Sequence, residues 1–119
     1  SRLTGKSSMI KPQETRALQM LRALEMKPDV TQRELALRVE LSLSRTNYVL
    51  RALVKKGFVK VENFRQSSNK SGYLYVLTSD GILEKLRLAK RFLIHKYAEY
   101  DAIKEEIAEL ESELLREDL

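Results

Sequence analysis

The chain has 119 residues, 43% of them hydrophobic and 33% charged, with a formal net charge of +5. That is enough for one domain with a modest core. It contains no cysteine and a single histidine, His95, so disulfides, thiolate metal sites and a cysteine nucleophile are excluded, and no cluster is left for zinc or for acid–base work. No apolar run reaches the roughly 18 residues that a membrane span needs, and residues 1–8 are polar, unlike a signal peptide. A cytoplasmic protein with no cofactor, no metal and no membrane partner is expected. Residues 1–11 read as a flexible N-terminus, with Met9 a candidate natural start after an added leader.

The charge is uneven. Residues 1–80 carry +8, residues 81–98 carry +4 and residues 99–119 carry −7. A basic body with an acidic tail points to a polyanionic partner for the body.

A first helix is predicted from Pro12, a residue suited to a first-turn position. Ala17, Leu18, Leu21 and Leu24 recur on one face, and Lys27-Pro28-Asp29 ends the helix. Thr31-Gln-Arg-Glu34 is a capping box that opens a short second helix with Leu35, Ala36 and Val39 inward. Ser42 is a second N-cap only a few residues later. From there Leu43, Thr46, Val49, Leu50, Leu53 and Val54 mark an amphipathic third helix, which Gly57 stops as a left-handed C-cap.

The period then changes from helical to alternating. Phe58–Phe64 and Tyr73–Leu77 read as the two strands of a hairpin around the polar loop 65–72. A last helix opens at Thr78-Ser-Asp-Gly81 and could run to about Glu117, close to 60 Å at ~1.5 Å per residue.

Two short helices around a tight turn, followed by a β-hairpin, make a winged helix-turn-helix. The expected fold class is therefore mainly α with a small β-hairpin (α+β), over residues 12–78, followed by a long C-terminal dimerisation helix over 79–119. Glu40 occupies the turn position where a glycine is common. A left-handed backbone there would cost ~1–2 kcal/mol, so a longer or differently shaped turn is expected.

The third helix, 43–56, turns Ser44, Arg45, Asn47, Tyr48, Arg51 and Lys55 outward, with no carboxylate among them. Arg can read guanine through two hydrogen bonds, and Asn can read adenine likewise. Residues 42–72 hold seven cations against Glu62 alone, whereas an ordinary solvated face mixes both signs. The candidate DNA contacts are Thr31, Gln32, Ser42, Ser44, Arg45, Asn47, Tyr48, Arg51 and Lys55, with Arg65 and Lys70 on the wing reaching a flanking groove or phosphate. The expected partner is double-stranded DNA. A winged-helix module that binds protein and no DNA is the alternative. No nucleophile–base pair or phosphate-binding glycine loop supports an enzyme.

The run Leu53-Val-Lys-Lys-Gly57-Phe-Val59, then a wing, then Leu77-Thr78-Ser-Asp-Gly81 resembles the MarR (multiple-antibiotic-resistance regulator) family. Asn47-Tyr48, Val59–Phe64, Gly72–Tyr75, Arg91–Leu93 and Ala98–Tyr100 are similar to its exopolysaccharide-associated subgroup. The resemblance spans roughly residues 13–113 and implies a transcription regulator. Two departures stand out. The family's Asp-x-Arg wing motif is replaced by Asn69-Lys70-Ser71, and one helix alone precedes the helix-turn-helix. A small-molecule effector pocket beside the dimer interface is therefore not expected.

Along the last helix Leu86, Ala89, Leu93, Tyr97, Tyr100, Ile103, Ile107, Leu110 and Leu114 step by threes and fours. This is a seam close to a heptad, with a stammer between Tyr100 and Ile103. It outruns what one small body can cover, so a homodimer is expected, with Leu86, Leu93, Tyr97, Tyr100, Ile103, Ile107, Leu110 and Leu114 at its interface. A two-fold dimer would read an inverted repeat with half-sites about one helical turn apart, ~34–36 Å.

Overall fold

The computed structural model describes residues 10–63 and 73–117. The chain is mainly helical, in the order α1 (Pro12–Met26), α2 (Gln32–Val39), α3 (Leu43–Lys55), β1 (Val59–Asn63), β2 (Tyr73–Leu77) and α4 (Ser79–Arg116). A two-stranded antiparallel hairpin follows the paired helices. Two compact units divide within α4: a body, Lys11–Ala89, and a second unit containing the helix from Lys90 onward.

In the body, each helix start is capped from its own sequence. Pro12 opens α1, and the Lys11 N–H is held by Glu14 Oε1 at 3.0 Å. Thr31 Oγ1 accepts from the Glu34 N–H at 3.1 Å and caps α2. Glu34 returns the contact to the Thr31 hydroxyl at 3.3 Å and holds Lys27 Nζ at 2.8 Å. Ser42 Oγ accepts from the Arg45 N–H at 3.1 Å and caps α3.

The turn between α2 and α3 corrects one expectation. Glu40 does take the left-handed conformation, at φ 57°, and the turn stays short. The Leu41 N–H closes it on the Ala36 carbonyl at 3.1 Å. The ~1–2 kcal/mol of backbone strain is outweighed by what the crossing buries. Leu35, Ala36 and Val39 all enter the core, at roughly 1.5–3 kcal/mol for each large aliphatic side chain.

At the far end of α3, Gly57 takes φ 84°. Its N–H donates to Val54 C=O at 3.0 Å, and the Phe58 N–H to Leu53 C=O at 3.0 Å. This is a Schellman ending, in which glycine carries the left-handed residue without penalty.

The hairpin pairs Val59 with Leu77 and Val61 with Tyr75. Val59 is buried, whereas Val61 is exposed, so only the base of the hairpin feeds the core. The Tyr75 N–H also donates to Pro28 C=O at 2.9 Å, tying β2 to the segment between α1 and α2. Thr78 joins the hairpin to α4: its hydroxyl donates to Gly57 C=O at 2.6 Å and accepts from the Gly81 N–H at 3.0 Å. A β-carbon on Gly81 would overlap the Phe58 carbonyl, so no other residue fits this approach.

Leu18, Leu21, Leu24, Leu35, Leu50 and Leu53 form the core as the periodicity predicts, joined by Met20, Val30, Val59 and Leu88. Four expected inward residues differ, Val49 and Val54 of α3 being only half-buried. Leu43 is exposed at the first turn of α3, and Ala17 is only half-buried. In the second unit α4 continues to Arg116, with Leu93, Tyr97, Tyr100, Ile103, Ile107, Leu110 and Leu114 all about half exposed.

Candidate nucleic-acid interface

The helix α3 has one face committed to packing: Thr46, Leu50 and Leu53 are buried. The opposite face is thereby fixed in the outward direction. Ser44, Arg45, Tyr48, Arg51 and Lys55 are exposed on it, and Asn47 is half-buried at its edge. No acidic residue occurs within α3, so this surface presents cations and hydrogen-bonding groups of one sign.

Several of these side chains are already oriented. The Arg45 guanidinium lies over the Tyr48 ring, 5.3 Å from its centre. Such a contact contributes about 0.5–1 kcal/mol at an exposed site and restricts a side chain that would otherwise sweep solvent. Asn47 Nδ2 donates to Gln32 Oε1 at 3.0 Å, and Gln32 Nε2 donates to the Tyr75 hydroxyl at 3.4 Å. The relay joins α3, the first residue of α2 and β2. It leaves Asn47 its carbonyl oxygen and a second N–H, the donor and acceptor that match adenine.

Thr31 and Ser42, both candidate contacts, have their hydroxyls engaged as N-caps; Ser42 Oγ also lies 3.4 Å from Ser44 Oγ. Arg65, Lys70 and the wing tip 65–72 lie outside the described residues. Glu34 is held below the usual carboxylate range, chiefly by its hydrogen bond from Lys27, which outweighs the desolvation that raises it; the Lys27 charge and then the Thr31 bonds add to the lowering.

Beside α3, a cleft of about 470 Å³ opens between α1, α3 and the first turns of α4. Arg16, Arg45, Lys56 and Arg87 line it with Glu14 and Glu84, and Glu84 pairs with Arg87 at 2.8 Å. Nothing in the sequence pattern marks this opening. Among the described residues no three acidic or histidine side chains gather to hold a metal, and no helix is long and apolar enough to cross a membrane.

Residues 14–60, from α1 into β1, match a family model described as winged helix-turn-helix DNA-binding. The fold is the winged helix-turn-helix. Several solved structures share this fold. The PcaV transcriptional regulator of Streptomyces coelicolor superposes with a TM-score of 0.61 at 22% identity, over 88% of this chain and 80% of that one. Wild-type MarR of E. coli, in its apo form, gives 0.62 at 23% identity, over 99% and 87%. A MarR family protein of Mycobacterium tuberculosis, in complex with p-aminosalicylic acid, gives 0.55 at 21%, over 87% and 78%. At these identities the likeness is one of fold. No curated protein matches the sequence.

The sequence pattern of the winged helix identifies α3 and its outward residues but misses Tyr75 as a member of the polar relay. Strand alternation marks Tyr75 only as one residue of β2. Its hydroxyl meets Gln32 through a contact 43 positions apart in the chain, which no local pattern encodes.

Proposed function

We propose that the chain is a homodimeric, sequence-specific DNA-binding transcriptional regulator of the MarR type. In this scheme α3 enters the major groove of double-stranded DNA, and the wing tip 65–72 lies on the flank. Arg45 and Asn47 read bases. Tyr48, Arg51 and Lys55 contact the backbone together with Thr31, Gln32, Ser42 and Ser44, and Arg65 and Lys70 do so from the wing. Leu86, Leu93, Tyr97, Tyr100, Ile103, Ile107, Leu110 and Leu114 hold the two copies together. Action on DNA places the protein in the cytoplasm. The finer kinship, with exopolysaccharide-associated regulators, rests on the motifs around Asn47, Val59–Phe64 and Gly72–Tyr75.

The observation that carries the proposal is the outward face of α3. Its opposite face is locked into the core, it bears three cations and no acid, and Asn47 and Arg45 are held in place before any ligand arrives. Affinity dominated by phosphate contacts falls steeply with salt. A dimer that neutralises ~6–10 phosphates should lose ~10³–10⁵ in affinity between 50 and 200 mM salt. A binding titration across that range tests it, and a flat response would instead favour a winged-helix module that docks on protein.

A further inference from the structure

Six seam residues of α4 pair off in either direction from Tyr100, whereas Leu110, ten positions after it, stands opposite Lys90. Tyr97 and Ile103 stand three positions away, Leu93 and Ile107 seven, and Leu86 and Leu114 fourteen. All seven side chains belong to one continuous helix and are about half exposed. The stammer that interrupts the heptad is therefore the point about which these three pairs mirror one another.

Charge changes sign at the same point. From Lys90 to Ala98 the helix carries Lys90, Arg91 and Lys96 and no acid. From Glu99 to Arg116 it carries seven acidic residues against Lys104 and Arg116.

A helix with most of its seam mirrored and its charge reversed about one point fits a reversed copy of itself. We propose that a second copy of this chain covers this face, with the two α4 helices antiparallel and the two-fold axis beside Tyr100. This rests on the dimeric scheme above and adds its direction. Leu93 then packs on the partner's Ile107, and Tyr97 beside the partner's Ile103. At the 3.5 residues per turn of a supercoiled pair, Lys90 and Glu111 fall on one flank of the seam and Lys96 and Glu106 on the other. In the antiparallel pair Lys90 meets Glu111 of the second copy, and Lys96 meets its Glu106. A parallel, in-register pair sets Lys96 against its own copy and Glu106 beside Glu111. Flanking charges select orientation in coiled coils, and here they select the antiparallel one.

The absence of native cysteine allows a direct test by single-cysteine variants of the full chain, oxidised after sedimentation has shown their assembly state. Cysteines pair only when their Cα atoms lie within about 7 Å, whereas Leu93 and Ile107 are 14 residues apart, about 21 Å along the helix. Tyr100→Cys is expected to cross-link to itself. Leu93→Cys and Ile107→Cys are expected not to do so alone, but to cross-link when the two variants are mixed and their subunits exchanged. Self-cross-linking of Leu93→Cys or Ile107→Cys would overturn the antiparallel order while leaving the dimer intact. A dimer in which no combination cross-links would show that another surface joins the copies. A monomeric wild type would remove the dimeric scheme itself.

A charge exchange at exposed positions gives a second test that does not disturb the seam. Lys90→Glu should weaken the dimer about fivefold, since two symmetric contacts of ordinary surface strength are lost. Adding Glu111→Lys should restore it. Failure of the second change to restore the dimer counts against the proposal.

Discussion

Asn47 reaches the surface with its orientation already set, because one of its amide hydrogens is committed to Gln32 and Gln32 is itself held by Tyr75. A side chain fixed in this way loses less conformational freedom when it meets a base than a free one does. Asn47→Ala is expected to cost ~1–3 kcal/mol at particular operator positions. Gln32→Ala should keep the contact but blur the preference, because the amide is then free to turn. Lys55→Ala should weaken every sequence alike. Binding of each variant to a library of single-base operator changes separates these outcomes. Equal losses at all bases with Asn47→Ala would show that the relay serves the fold and not recognition. That Asn47 and Lys55 lie on the outward side of α3 was legible from residue type and helical period. The supporting relay was not, because it depends on tertiary pairing of α2, α3 and β2.

Among the elements, α2 depends most on its ends, since its eight residues are too few to be stable alone. The Thr31–Glu34 capping box and the Lys27 ion pair fix its start. Glu34 ionises more readily in the folded chain than in an unfolded one. A carboxylate with a depressed folded value adds stability at pH above its ordinary range, near ~4.3, and that stability is lost as pH falls through the folded value. The midpoint of urea unfolding should therefore drop as pH is lowered from 6 to below 4. Glu34→Gln should flatten part of the slope, with the remainder left to Glu84 and Glu99, which are held low chiefly by Arg87 and by Lys96. An unchanged slope in Glu34→Gln would mean that the pair contributes nothing to folding. The starts of α2 and α3 were readable from Thr31 and Ser42, because capping is local chemistry. Glu40 was not: its residue type argues against a left-handed backbone, and only the burial of Leu35, Ala36 and Val39 before the turn and of Leu50 and Leu53 after it makes that conformation the favourable one.

For the whole molecule, the sequence shows a basic body, an acidic tail and a long apolar seam, but the direction in which two copies meet cannot be read from hydrophobic spacing alone. A two-fold dimer presents two copies of α3 to half-sites of opposite orientation, so the operator should be an inverted repeat with half-sites a whole number of helical turns apart. Joining two weak half-sites raises avidity by ~10²–10⁴. The double change Ile107→Asp with Leu110→Asp would bury unpaired charge at the seam unless the chains part, so it should yield a monomer in sedimentation. Its body should stay folded, because Leu21, Leu35, Leu50 and Leu53 are untouched and lie in the core; retention of the wild-type helical signal checks this. The folded monomer should then bind the full inverted repeat ~10²–10⁴ more weakly than the wild type, yet bind an isolated half-site equally well. A monomer that holds the full site as tightly as the dimer would break the link between assembly and recognition, and leave α3 as a reader that works alone.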